Sequence, residues 1–399
     1  MSLYLNALGM VCPLGSAHDA IRTRLLAGVS GLRADARYLD AHGEPLALGA
    51  VPDDTRLPED DHLPLRERSR NNRLALAALQ RIRVQVDAAI ARYGAERIGI
   101  VLGTSTSGIA EGEAAFAARA ASGSFPPGYH YGQQELGSPA TALQLTLGTT
   151  GPAYVQSSAC ASSGKAIASA ARLLNMGLCD AVLCGGVDTL CQFTIAGFTA
   201  LESVSAQRCN PLSLHRQGIN IGEGAALFLL TREPAAVQLS GWGESSDAYH
   251  ISAPDPEGRG AQLAIGQALR RAGLTASQID YINLHGTATP QNDAMESKVV
   301  QALFGLEVPV SSTKPFTGHT LGAASAIEAG LCWLLMQDDN PDGLLPPHLW
   351  DGVADPALPA LAPVQVGQRL GRPLRHVLSN SFAFGGSNVA LVFSRGENA

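Results

Sequence analysis

Short apolar runs alternate along the chain with longer stretches in which alanine and leucine recur among small and polar positions. "RIGIVLGTS" (97–105) reads as a buried strand entering a turn, because its unbroken apolar and glycine positions leave no polar face for water. "CDAVLCGGVD" (179–188) reads as a second buried strand, and "GEGAALFLLTRE" (222–233) as a third that follows closely spaced glycines. "GKAIASAARLLNMG" (164–177) has the spacing of a helix, with small residues where it packs and Gly177 as its stop. Strands and helices in alternation predict an α/β layered fold.

The two halves echo each other. "VLGTSTSG" (101–108) matches "NLHGTATP" (283–290), and "GKAIASAARLL" matches "ASAIEAGLCWLL" with Ala166-Ile167 on Ala326-Ile327. "GEGAALFLLTRE" matches "GGSNVALVFSRGE". Three matches in one order (strand-turn, helix, glycine-rich strand) predict a duplicated α/β unit, far longer than the repeat of a solenoid. The boundary falls near "TREPAAVQLSG", giving halves 1–234 and 235–399. The Pro-rich excursion 338–363 reads as a surface loop and 56–72 as a polar insertion.

Composition narrows the classes. The chain has 399 residues, 46% of them apolar, enough for a large core. A net charge of −7, spread along the chain, carries no signature of nucleic-acid binding. Seven cysteines, an odd number without CxxC spacing, argue against a disulfide framework or a zinc site and for a reducing, cytoplasmic setting. The first residues, "MSLYLNALGMVCPLGS", lack the basic start of a signal peptide. No apolar run approaches the roughly 20 residues of a membrane span.

Chemistry concentrates at three places. Cys160, in "SSACASSG", precedes a helix, where unpaired N–H groups favour an anion. The expectation is a thiol of lowered pKa acting as a nucleophile, with small neighbours leaving room for an acyl chain. His285 follows a buried strand in "NLHGTATPQND", and His319 precedes a helix in "SSTKPFTGHTLGAASAIEA". In the repeat, His319-Thr320 falls at the helix-start position of Cys160. A pseudo-two-fold would therefore bring both histidines and the cysteine to one face, at the C-terminal ends of strands. His18, His42, His62, His130, His215, His348 and His376 read as ordinary core or surface residues, and Cys179, Cys184, Cys191 and Cys332 as structural thiols.

These motifs, with "SSDAYHISAPDPEG" and "SNSFAFGGSN", resemble those of the β-ketoacyl-[acyl-carrier-protein] synthases, elongating ketosynthases of the thiolase superfamily. The resemblance runs from "ALGMVCPLGS" to "SNSFAFGGSNVALVF". It implies a thiolase-like α-β-α-β-α sandwich with two mixed sheets. It implies decarboxylative Claisen condensation of an acyl thioester with a malonyl carrier thioester, in fatty-acid, aryl-polyene or polyketide biosynthesis. Cys160 would hold the acyl group, His285 and His319 would stabilise the enolate, and Lys314 would act beside them, paired with Glu328. The N–H groups of Cys160 and Phe384 would form the oxyanion hole, with Phe384 also the gate. Thr287, Thr289 and Phe382 would line the pantetheine and substrate channel, supported by Asp293, Gly385 and Gly386. No metal or cofactor is implied, since the phosphopantetheine arrives on the acyl carrier protein. The implied partners are that carrier and a second copy or related ketosynthase subunit.

Four positions depart from the family pattern: Ala383 and Ser325 replace usual glycines, and Ser213 and Gln217 replace usual acids. They point to a specialised rather than a housekeeping enzyme, and Ala383 to a stiffer gate. Arg66, Arg68, Arg70 and Arg73 form a candidate docking patch for an acidic carrier. Two rivals remain: a thiolase acting on coenzyme A thioesters, which needs a second catalytic cysteine late in the chain, and a non-catalytic chain-length-factor-like partner, which typically lacks the nucleophile.

Overall fold

The computed structural model describes residues 2–40 and 42–396. Among them the strands, in chain order, are β1 (Tyr4–Val11), β2 (Arg33–Leu39), β3 (Pro45–Leu48), β4 (Ile98–Gly103), β5 (Ala153–Gln156), β6 (Ala181–Asp188), β7 (Gly224–Thr231), β8 (Val237–Ser246), β9 (Tyr281–Leu284), β10 (Pro309–Ser312), β11 (Ala362–Pro363), β12 (His376–Ala383) and β13 (Ser387–Arg395). β2 and β3 pair separately; the others run in the order β11-β10-β9-β12-β13-β8-β1-β7-β6-β4-β5.

That order is symmetric about its middle. Outward from β1 come β7, β6, β4 and β5; outward from β8 come β13, β12, β9 and β10. On both sides the first two pairings are antiparallel and the next two parallel. The two mixed sheets meet at one antiparallel pairing, Tyr4 with Gln238. The 234/235 boundary lies in the connection between β7 and β8.

Layering explains the sequence pattern. β4, β6 and β7 are buried at every position because helices cover both faces, so they show no alternation. Helices Arg70–Arg81 and Ser138–Leu147 cover the outer face of the first half. Arg259–Ala272 and Pro290–Phe304 cover that of the second. Between the sheets lie Ser162–Asn175 and Ala324–Leu335, the two helices that echo each other in sequence. They are alanine-rich because space is short there: a Cβ on Gly164 would lie 2.7 Å from Val389 Cγ1 and 3.1 Å from Ser325.

The two halves share a core. One apolar cluster between the sheets takes Met10, Ile167 and Phe228 from the first half and Tyr281, Leu335 and Phe393 from the second. The excursion 338–363 is only partly superficial. Leu345 and His348 are buried, and His348 bonds the Ser312 N–H through Nδ1 and the Pro211 carbonyl through Nε2. No helix among the described residues is long and apolar enough to cross a membrane.

Candidate active site

The parallel strands β4, β5, β9 and β10 end on one face, and the predicted residues gather there. After β5 the chain turns through Ala159, a non-glycine residue at φ 47°. This strained conformation points the next side chain, Cys160, into the gap between the halves. Ser162 fastens the turn: its Oγ accepts the Ser158 N–H (2.8 Å) and donates to the Ala159 carbonyl (2.6 Å). From the second half, His285 projects just beyond β9, and His319 from the loop before Ala324–Leu335. His319 Nε2 lies 2.9 Å from Cys160 Sγ. The two imidazoles stand almost perpendicular, 5.5 Å apart at their centroids.

The hydrogen bonds behind the imidazoles set their tautomers. His319 Nδ1 accepts the Leu321 N–H at 3.3 Å. His285 Nδ1 lies 3.3 Å from Lys314 Nζ, an ammonium that can only donate. Lys314 is itself held at 2.5 Å by Glu328 Oε1 and at 2.5 Å by the His285 carbonyl. Burial, then the Lys314 charge, push both histidines well below the ordinary imidazole pKa, so both are neutral at physiological pH. With Nδ1 accepting, each neutral ring carries its proton on Nε2, which in His319 is the atom facing the cysteine. Sγ and one ring nitrogen from each histidine lie within 4.8 Å of one another, a spacing that suits a metal. These nitrogens present hydrogens rather than lone pairs, and a cation sits behind one of them. N–H groups so placed can donate to an anionic oxygen.

The expectation of a lowered thiol pKa is corrected. Cys160 is 5% exposed, and burial pushes the thiol up to about 11. The Lys314 charge and a hydrogen bond from the Phe384 N–H act the other way without prevailing.

A cavity of about 140 Å³ opens onto these groups, and Thr287, Thr289, Phe382 and Phe384 share its wall. The Thr287 and Thr289 hydroxyls are 2.9 Å apart. Phe382 packs on His285 and the half-buried Phe384 on Phe198. Gly385 and Gly386, at φ 80° and 71°, carry the chain from β12 to β13. Ala383 adopts φ −99°, ψ 155°, ordinary for alanine, so its Cβ adds no strain in this conformation. Asp293 stands behind the site, its carboxylate accepting the Ala288 and Leu212 N–H groups. Ser213 donates to Asp351 and Gln217 is exposed; neither lines the cavity.

Each arginine of the candidate docking patch has an acidic partner nearby. Arg70 forks onto the buried Glu223, which also accepts the Val51 and Leu190 N–H groups. Arg66 pairs with Glu67 and Glu135, Arg68 with Asp61, and Arg73 with Glu59. Internal partners, distant in sequence for Arg66 and Arg70, take up the charge that the run of arginines displays. Cys332, the latest cysteine in the chain, is fully buried inside Ala324–Leu335 and does not line the cavity, which removes the second thiol a thiolase requires.

Two acids beside the site, Asp188 and Glu296, escaped the sequence reading, and Ser325 was singled out there without a role. Asp188, at the end of β6, accepts hydrogen bonds from Thr104, Ser105 and Thr106 and from the Gly322 N–H, tying the β4 corner to the His319 loop. Glu296 accepts the N–H groups of His285 (2.8 Å) and Gly286 (2.7 Å), and burial pushes its carboxyl up to about 7. Ser325 bonds the Cys160 carbonyl. An acid closing a buried strand was a legible signal for Asp188; the partners of Ser325 lay too far away in sequence.

The family model described as "Beta-ketoacyl synthase, N-terminal domain" matches residues 5–236, and its C-terminal counterpart matches residues 236–349. The 3-oxoacyl-[acyl-carrier-protein] synthase 2 of a Synechocystis species is 30% identical, covering 98% of this chain and 97% of that protein. Nodulation protein E of a Rhizobium species is 31% identical over 98% of both. Among solved structures, the ketosynthase ApeO in complex with its chain length factor ApeC from Xenorhabdus doucetiae matches with a TM-score of 0.90 and 48% identity, over 99% of this chain and 98% of that one. A β-ketoacyl synthase from Burkholderia phymatum matches with a TM-score of 0.86 and 28% identity over 99% of each chain.

Proposed function

The chain belongs to the β-ketoacyl synthase family, and from that premise we propose how its own residues carry out decarboxylative Claisen condensation. Cys160 Sγ attacks the carbonyl of an acyl-carrier thioester; the thiol proton leaves with the pantetheine sulfur, and the acyl group stays on Cys160. The N–H groups of Cys160 and Phe384 hold the oxyanion of that step. The malonyl thioester then loses CO₂, and its electron pair passes to the thioester oxygen. The two Nε2–H groups of His285 and His319 meet that oxygen as its charge grows. The carbanion attacks the acyl-Cys160 carbonyl, a carbon–carbon bond forms, and the Cys160 sulfur departs. Lys314, held by Glu328, keeps Nδ1 of His285 an acceptor and so keeps the donor on Nε2. The observation that carries this reading is the pair of adjacent neutral imidazoles, each with Nδ1 accepting, one of them 2.9 Å from Cys160 Sγ.

Thr287 and Thr289 line the path of the pantetheine amides, and the Phe384–Gly386 turn gates the acyl end. The family uses no cofactor of its own. The partners are an acyl carrier protein and a related ketosynthase subunit. Helix Gln192–Ala200 fits the second role: it is apolar, leaves Phe193 67% exposed, and with Leu201 just beyond it places Phe198 on the cavity wall. The reaction belongs in the cytoplasm. The halves 1–234 and 235–399 act as one catalytic unit. Identity is higher to ApeO (48%) than to the synthase 2 relatives (30%), which favours a specialised chain over housekeeping fatty-acid synthesis.

The test is mass spectrometry of the purified chain, alone and with a co-expressed partner, given acyl and malonyl carriers. The acyl group is expected on Cys160, and Cys160→Ala should lower condensation at least about 10³-fold. Condensation that survives Cys160→Ala overturns the reading.

A further inference from the structure

The second half holds the nucleophile by its backbone. Ser325, in the first turn of Ala324–Leu335, is 2% exposed. Its Oγ lies 3.1 Å from the Cys160 carbonyl oxygen and 2.7 Å from Ser381 Oγ. A hydroxyl has one proton to give, and a carbonyl can only accept. Ser325 Oγ is the donor in both contacts and shares its proton between the Cys160 carbonyl and Ser381 Oγ, while Ser381 turns its own proton to the buried Glu328 carboxylate. The contact has little freedom, because Ser325 would lie 3.1 Å from a Cβ on Gly164 of the facing helix. A reciprocal bond closes the frame: Ser163 Oγ accepts the Ala326 N–H at 2.9 Å. The turn these bonds brace is the one strained at Ala159 (φ 47°), and such strain persists only where the surroundings hold it.

We infer that Ser325 is a positioning residue for Cys160, an inference that rests on Cys160 being the acyl acceptor. Pinning the carbonyl limits rotation about the Cα–C bond of Cys160 and so fixes where Sγ and the Cys160 N–H point relative to an incoming thioester. Loading of Cys160 depends on the aim of the sulfur. Malonyl decarboxylation depends on the imidazole donors and uses the sulfur only afterwards. Ser325 therefore acts on one half-reaction and not on the other.

The experiment uses full-length Ser325→Ala and Ser325→Gly beside wild type and Cys160→Ala. Single-turnover loading from an acyl-carrier thioester is followed by intact mass, malonyl-carrier decarboxylation by CO₂ release, and stability by thermal melting. Loading is expected to slow about tenfold in both variants, the effect of one lost hydrogen bond on placement. Decarboxylation should stay within about twofold and melting within about 5 °C. Loading at the wild-type rate overturns the inference. So does a parallel fall of loading, decarboxylation and stability, which marks a merely structural serine. Wild type that takes no acyl group at Cys160 sinks the functional reading itself, an outcome distinct from either.

Discussion

Gly103 and His285 occupy matching corners of the two halves, one ending β4 and the other just beyond β9. A Cβ on Gly103 would lie 2.2 Å from the Ser163 backbone nitrogen, so the start of the nucleophile helix fills that corner. At the second corner an imidazole has room, backed by Lys314. The amides around both corners fall on a buried acid: Ser105 and Thr106 on Asp188, His285 and Gly286 on Glu296. Duplication thus preserved the backbone frame, while the side chains divided the labour. One half contributes the sulfur, the other the donors that meet developing negative charge. The division follows from the geometry: the nucleophile's own turn carries no imidazole, and His319 reaches the sulfur from the opposing half.

Swapping the corners gives the largest expected effect. Gly103→His should abolish soluble protein or cost more than about 4 kcal/mol, because backbone has to move. His285→Ala should melt within about 5 °C of wild type yet lose about 10²- to 10³-fold in malonyl decarboxylation. Equal tolerance at both corners, seen in melting and CO₂ release, would break the comparison.

The next effect separates charge from fold on the second side. Lys314→Met leaves Glu328 buried without its partner and should destabilise the protein by about 3–5 kcal/mol. Adding Glu328→Leu should restore most of that stability in denaturant melts, but not decarboxylation. A double variant that recovers activity would remove Lys314 from the site's chemistry.

The smallest effect concerns the first side. A thiol raised to about 11 is almost wholly protonated at pH 7. Raising the pH increases the thiolate fraction, so alkylation of Cys160 by iodoacetamide should climb about tenfold per pH unit through pH 9. A plateau at or below pH 8 would restore the lowered pKa expected from sequence.

That expectation shows where sequence reading stops. Cys160, His285 and His319 were legible because each sits in a local motif at a strand end or helix start, and the three echoes related those motifs. The ionisation of Cys160 was not, because desolvation is the work of both sheets. Glu223 and Glu135, which engage two charges of the arginine run 66–73, lie far along the chain, so those pairings could not be read from the sequence. Ser325 passed as a departure from pattern until its contact with a carbonyl 165 positions away was seen.

By itself the sequence determined the alternation of strands and helices, the duplication, and the three residues able to do thioester chemistry. These are local properties, written in periodicity and residue type. Tertiary structure alone decided which nitrogen of each imidazole bears the proton, how hard the thiol holds its own, and which acids brace the corners. Those depend on burial and on hydrogen bonds between segments that meet only once the two halves close on a shared core.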